Sequence, residues 1–360
     1  MRPLAPVAFV IGIALLILAV EVRGVLRSDP AQRPAGNGFE AIEQGGDAQK
    51  PRPDSAPSSP VPLSPAPQSA QSAQSAHFEQ HFSWSSGVHG LGRVARQEGN
   101  PEGPAGLAVN ALGTSLIVDS VNHRLLFTAA SGDTLAAPSP LREVCDVAAL
   151  PNGSFAVLDR LADRAAAIVD SRGKLLAKLP LPPHAGDPGL LTGIFADARN
   201  VCVEKEHGEC VPVFTNGGEP VADAAPLHGR PASDGVSLLH AGIVAPPSAR
   251  MHLTRSWSRP FRHGYTRELL FPSTIQSLHF LDANAAGELF LAVVLAGAPA
   301  ELLVLCMTTE TGVELGRTVL PTSPLPDEVT RELTVISSGG FAYLHRTMAG
   351  AALEYHACVP

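Results

Sequence analysis

Charged and aromatic side chains are both scarce in this chain, at 17% and 5% of its 360 residues, against 45% hydrophobic. That balance excludes a wholly disordered chain, which needs high charge and few apolar residues. Long apolar runs are nearly absent as well: there is one, at residues 4–20, so a multi-pass membrane protein is excluded. Phosphate-loop, G-x-S-x-G and H-E-x-x-H motifs are missing, which removes the common nucleotide-binding and hydrolase signatures. Sites assembled from separate loops leave no such motif and stay open. No C-x-x-C pair or zinc-type spacing occurs among the five cysteines, which argues against a structural zinc site. Cationic excess is lacking too, since 26 Lys and Arg face 34 Asp and Glu, a net charge of −8. Residues 1–77 hold six charges of each sign, so the whole −8 belongs to residues 78–360. An acidic domain repels phosphate backbones, and nucleic acid is an unfavoured partner.

What the chain has in quantity is turn-formers: 33 Gly and 33 Pro. A folded part so rich in turns points to all-β structure with short strands.

Residues 4–20, LAPVAFVIGIALLILAV, are uncharged and bounded by Arg2 and Glu21, at the short limit for crossing a bilayer core of about 30 Å. No small-x-small cleavage site lies around Leu18, Ala19, Val20 and Glu21, which favours a retained signal-anchor over residues 1–27. Arg23, Arg27 and Arg33 come directly after the run, and the positive-inside rule alone would keep the C-terminal part of the chain in the cytoplasm. Against it stands the layout of a very short N-terminus, a Pro-rich tether and a folded domain, which is that of an exported, anchored protein. A single-pass cell-membrane location with the folded domain on the periplasmic or extracellular side is therefore expected. In residues 51–76, 22 of 26 positions are Pro, Ser, Ala or Gln, ending in three QSA triplets. Nothing there can bury a core, so residues 28–77 read as a disordered spacer.

The folded part shows its plan at residues 103–127, GPAGLAVNALGTSLIVDSVNHRLLF. Leu107 and Val109, Leu116 and Val118, and Leu125 and Phe127 alternate as the buried faces of three short strands; Gly113 permits the first turn. Asp119 and Asn122 suit the second turn by bonding local backbone groups. This stretch resembles the NHL-repeat β-propellers, through Pro104, Gly106, Gly113, Asp119 and the run Asn122-His123-Arg124-Leu125. Related but weaker units lie at 144–179, where Gly153, Asp159 and Arg164 repeat the turn, the acid and the Arg, and at 192–221, 236–271, 275–307 and 333–359. The inner-strand residues Leu107, Val147, Ile194, Leu239, Leu278 and Leu333 are spaced by 40, 47, 45, 39 and 55 residues. Such spacing fits four-stranded blades and predicts a six-bladed propeller over residues 78–360, with five or seven blades possible because the fourth unit is hard to parse. The last unit shows three strands only. Residues 78–95 could supply the missing outermost strand and close the ring, removing exposed sheet edges.

Cys202 and Cys210 flank a hairpin turn and can face each other on paired strands, so a disulfide is feasible there and would imply an oxidising compartment. Cys306 and Cys358 read as two buried free thiols. The candidate contact surface is residues 250–267, where Arg250, Arg255, Arg259, Arg262 and Arg267 interleave with Trp257, Phe261 and Tyr265, and no acidic residue lies between Asp234 and Glu268. Arg with aromatics suits a carboxylate, phosphate or sugar-bearing ligand through forked hydrogen bonds and stacking.

Thirteen histidines keep catalysis in view. Some NHL-type propellers, the peptidyl amidating lyases, bind a metal through channel-mouth histidines, and the resemblance implies His240 and His279 as ligands here, with His123, His184 or His345 as a third. His77 and His81 stand four apart at the linker's end and read as solvated. The expected function is a non-catalytic module binding a protein, a peptide or an anionic or glycan ligand without a cofactor. The alternative is a lyase or hydrolase using a divalent metal, and a third reading is a structural spacer in an envelope assembly.

Overall fold

The computed structural model describes residues 79–95, 100–222 and 224–358, so the membrane segment 1–27, the linker 28–77 and His77 lie outside the described residues. Among the described residues no helix is long and apolar enough to cross a membrane.

The chain enters on β1 (Glu79–Trp84) and the two-residue β2 (Gly90–Leu91), then builds six antiparallel sheets in sequence. Blade 1 comprises β3 (Gly106–Val109), β4 (Ser115–Asp119), β5 (Arg124–Thr128) and β6 (Thr134–Pro138). Blade 2 comprises β7 (Asp146–Ala149), β8 (Phe155–Asp159), β9 (Ala165–Val169) and β10 (Leu175–Pro180). Blade 3 continues with β11 (Leu191–Ala196), β12 (Asn200–Lys205), β13 (Glu209–Thr215) and β14 (Leu227–His228). Blade 4 is β15 (Arg230–Pro231), β16 (Ser237–Ile243), β17 (Arg250–Ser258) and β18 (Phe261–Leu270). Blade 5 is β19 (Ile275–Ala283), β20 (Glu288–Leu295), β21 (Glu301–Thr308) and β22 (Glu314–Pro321). Blade 6 takes β23 (Leu333–Val335), β24 (Phe341–Arg346) and β25 (Gly350–His356), and its fourth strand is β1, antiparallel to β25 with Phe82 opposite Ala351, with the two-residue β2 added parallel to β1 at the edge. Six blades are present, and the two ends of the domain share one sheet, as the three-stranded last unit requires.

The hairpins form where the sequence places turn chemistry. Asn110 Oδ1 accepts from the amides of Leu112 and Thr114, both at 3.0 Å, and Gly113 lies between them at φ +79°. A Cβ on Gly113 would meet nothing, so the backbone angle alone demands glycine. In the second turn Asp119 Oδ2 accepts from Asn122 Nδ2 at 2.8 Å and Arg124 Nε at 2.7 Å. The Arg124 guanidinium also donates to the carbonyls of Ser86, Gly87 and Gly90, tying the closing segment to blade 1. The Asn-His-Arg turn is thus a structural clasp. In blade 2 the matching residue differs from expectation: Arg164 has φ +50°, like His123, and precedes β9 instead of opening it, so it occupies the His123 place. The turn there is one residue longer, which moves the guanidinium out of the Arg124 position.

Cores lie between blades, not within them, because each sheet is apolar on both faces. Blades 1 and 2 meet through Phe127, Val147 and Phe155, and blades 4 and 5 through Leu253, Leu269, Leu291 and Leu305. The face of blade 3 turned away from blade 2 carries a much smaller cluster: Phe195, Cys202, Cys210 and Leu227. There the structure joins Cys202 to Cys210, with Cα atoms 5.7 Å apart. It also joins Cys306 to Cys358 at a Cα separation of 5.9 Å, in place of the two free thiols expected from the sequence. The reason is topological. The chain runs on past β25 into the apolar cluster between blades 5 and 6 that already holds Cys306, so both sulfurs reach the same spot.

The Cys306–Cys358 bridge clamps the end of β25 to blade 5 and supports the strand that β1 must pair with. Cys358→Ser is expected to destabilise the domain by about 2–4 kcal/mol, read as a lower denaturant midpoint, while leaving far-ultraviolet circular dichroism unchanged.

Candidate functional site

The ring is lined by its first strands: β23 neighbours β3, with β7 and β11 next in order. In blade 4 the first strand is only two residues long, so β16, the second strand, packs against β19. Leu239 and His240, expected on an inner strand, therefore lie on a second strand that takes over the inner position.

A cavity of about 560 Å³ opens at this place, lined from blades 2, 3, 4 and 5 and from residues 329–331. Its floor is a buried ion pair. Arg331 donates from Nε to Asp146 Oδ1 at 3.1 Å and from Nη2 to Asp146 Oδ2 at 2.9 Å and to the Ile194 carbonyl at 2.8 Å. Burial works against the Arg331 charge, but Asp146 beside it, with Asp282 and Glu204, holds the pKa above its ordinary value. On one wall Glu204 accepts from Arg230 Nε at 3.0 Å, from Arg230 Nη2 at 3.1 Å and from the Thr192 hydroxyl at 2.9 Å. Burial would raise the Glu204 pKa; His207, Arg230 and Thr192 outweigh it and hold the carboxyl at about 2. Phe195 packs against both cations, with the guanidinium carbons of Arg230 and Arg331 each 4.5 Å from its ring centroid.

His240 and His279 both line this cavity. His279 Nδ1 stands 3.3 Å from Glu332, which also pairs with Arg346. Of the third ligands considered, His123 sits in the blade 1 turn, His184 meets the Pro212 carbonyl at 3.1 Å, and His345 pairs with Glu354 at 3.2 Å. Among the described residues, the one trio of metal-type ligands within 4.8 Å of one another is Glu288, Cys306 and Cys358, whose sulfurs are joined to each other. Among the described residues, no third metal-type ligand is gathered with His240 and His279 within that distance. His81, at the other end of the histidine inventory, is exposed and pairs with Glu79 at 3.3 Å.

The arginine-rich stretch forms β17 and β18, and most of its cations are occupied. Arg250 pairs with Glu268, and Arg267 donates to the Thr311 carbonyl of blade 5 at 2.9 Å. Arg255 is 5% exposed, bonds Ser237 Oγ at 3.0 Å and stacks on Trp257 at 3.9 Å. Tyr265, opposite Arg255, has its hydroxyl buried with no hydrogen-bond partner among the described residues, and burial pushes its pKa up to about 12. Arg255 and Tyr265 therefore face inward. What reaches solvent is the hairpin tip: Phe261 is 66% exposed, Arg262 stacks on Trp257 at 4.0 Å, and Arg259 lies 3.5 Å from Asp197 of blade 3. The sequence pattern found the hairpin but not Arg331, Arg230 or Phe195, which stand far apart in sequence and carry no local motif.

Six antiparallel sheets in a closed ring make this protein a β-propeller. No family model and no curated protein sequence matches the chain. Solved structures of similar shape include virginiamycin B lyase from Staphylococcus aureus, at TM-score 0.43 and 9% identity over 78% of this chain and 98% of that one. Kuenenia stuttgartiensis hydrazine synthase aligns at TM-score 0.45 and 13% identity over 70% and 76%, and BamB from Moraxella catarrhalis at 0.33 and 14% over 71% and 83%.

The floor and wall of the cavity generate two expectations. Arg331→Ala strands the buried Asp146 carboxylate and should cost about 3–5 kcal/mol, much of it recovered in the Arg331→Ala/Asp146→Ala double variant, read from urea midpoints. For acid stability, a carboxyl held below its unfolded value stabilises the fold above the unfolded pKa and loses that contribution as pH falls toward the folded one. A drop from 4.5 to about 2 at Glu204 corresponds to about 3 kcal/mol, lost between those two values. Glu204→Gln should lower the melting temperature at neutral pH and flatten its fall across that window. A shallower slope should persist from Glu354, where His345 and His356 outweigh burial and also hold the pKa at about 2.

Proposed function

We propose that this chain is a membrane-anchored, exported β-propeller of NHL type acting as a non-catalytic binding module, with the tip of the β17–β18 hairpin as its contact surface for an acidic protein partner. The observation that carries it is Phe261, a large apolar side chain 66% exposed and flanked by Arg259 and Arg262 at the end of the hairpin containing the longest strand, β18. Exposed aromatics beside arginine are the usual anchors of protein interfaces. Arg262 pairs with no carboxylate among the described residues and stands out on a domain of net −8, so opposite charge on the partner would both attract and orient it. Export is supported by the two disulfides, which persist in oxidising compartments. Anchoring is supported by the apolar run at residues 4–20.

In-membrane cross-linking of the full chain should yield adducts that disappear in the Arg259→Glu/Phe261→Ala/Arg262→Glu variant, with the melting temperature of the folded domain unchanged. Adducts that persist in the variant would remove the hairpin tip from consideration. Capture by immobilised heparin with no protein adduct would make the partner an anionic glycan instead.

A further inference from the structure

The channel cavity has an excess of hydrogen-bond donors that its own acceptors cannot use. Both Asp146 oxygens are engaged, Oδ1 by Arg331 and Oδ2 by Arg331 and the Ile194 amide at 2.8 Å. Both Glu204 oxygens are engaged as well, by Arg230, by Thr192, and by His207 at 3.3 Å. On the donor side, Nη1 of Arg230 and Nη1 of Arg331 take part in no hydrogen bond among the described residues, and neither is sealed from solvent. Their side chains keep 19% and 12% exposure, and both line the cavity. His240, Ser277 and Thr330 also line it. Three arginines, Arg160, Arg230 and Arg331, face two carboxylates, so the lining is net positive inside a domain of net −8.

We infer that this cavity binds a small organic anion bearing two carboxylates, one for each free guanidinium arm. A cationic ligand would find no free carboxylate there. The two arms are preorganised, because each guanidinium is already fixed by a carboxylate and by Phe195, so little ordering remains to be done on binding. Each guanidinium carbon lies 4.5 Å from the same ring centroid, so the two stand no farther apart than twice that distance, within the span of a four- to six-carbon diacid. Leu278 and Ala241 supply apolar wall for the carbon chain, and about 560 Å³ is the size of an ordinary small-molecule site. This site is independent of the hairpin tip and needs no metal.

The test is calorimetric titration of the full chain in detergent with succinate, citrate and inorganic phosphate, and with putrescine as the probe of opposite charge. Succinate or citrate should bind saturably at one site per chain and putrescine should not. Arg230→Lys keeps a cation beside Glu204 but removes the free arm, and should weaken binding about tenfold or more. Ser277→Leu fills the cavity without changing its charge and should abolish binding; both variants must melt like the parent without ligand. Absence of saturable heat with all three anions at about 10 mM, where a Kd of about 1 mM would be visible, would overturn the inference. So would binding that survives both substitutions, or phosphate binding tighter than either carboxylate.

Discussion

A ring of six sheets leaves a hole at its centre, and in this protein one buried ion pair governs how that hole is closed. Arg331 stands just before β23 of blade 6, reaches Asp146 at the start of β7 in blade 2, and bonds the Ile194 carbonyl of β11 in blade 3. Its backbone neighbours take part too: the Thr330 amide donates to the Ala105 carbonyl beside blade 1 at 3.0 Å, and Arg331 bridges to Gly106. Four blades thus converge on one short segment. Taking the pair out of water is costly, and the return comes from forked geometry and from saturating both carboxylate oxygens. The gain is positional: inner strands that share no hydrogen-bonded ladder with one another are held at one spacing.

The same constraint explains where the cavity falls. Most neighbouring blades meet through broad apolar clusters, but blade 3 turns toward blade 4 only a small cluster built on Phe195, the Cys202–Cys210 bridge and Leu227. Blade 4 begins with a first strand too short to fill its share of the channel wall. Glu204 and Arg230 pair across this joint, so charge does there what leucine and valine do elsewhere. A joint held by polar groups can keep solvent-filled space beside it without losing much, whereas a gap in a close-packed apolar interface would be destabilising.

This contrast also marks what the amino-acid sequence reveals. Strand alternation around Leu107, Leu116 and Leu125, the turn at Gly113, and the fourth strand missing from the last unit are local signals, and they lead to six blades and to β1 as the closing strand. His240 falls one strand away from its expected place because a two-residue β15 leaves no alternation to read. Arg255 turns inward because it shares the buried face of β17 with Met251 and Leu253, so alternation along the strand places it there even though its charge suggests a surface position. Cys306 and Cys358 meet through a chain end that continues past its last strand. Arg331, Arg230 and Phe195 are 136 residues apart at the widest and are united only by closure of the ring.

The way cations are used inside the domain bears on how its surface reads to a partner. Arg93 pairs with Asp327, Arg124 with Asp119, Arg230 with Glu204, Arg331 with Asp146 and Arg346 with Glu332, in each case with the carboxylate largely buried. These pairs cancel within the fold and project little field. The acidic excess is therefore expressed at the surface, where screening acts over about 8–10 Å in physiological salt. Against that background, Arg262 at the β17–β18 tip is held over Trp257 and pairs with no carboxylate among the described residues, so its geometry is fixed while its charge stays available. Phe261 beside it adds apolar area that solvent does not favour. A fixed cation next to an exposed aromatic ring, on a domain of net negative charge, is the place where attraction and burial would coincide for the acidic partner proposed above.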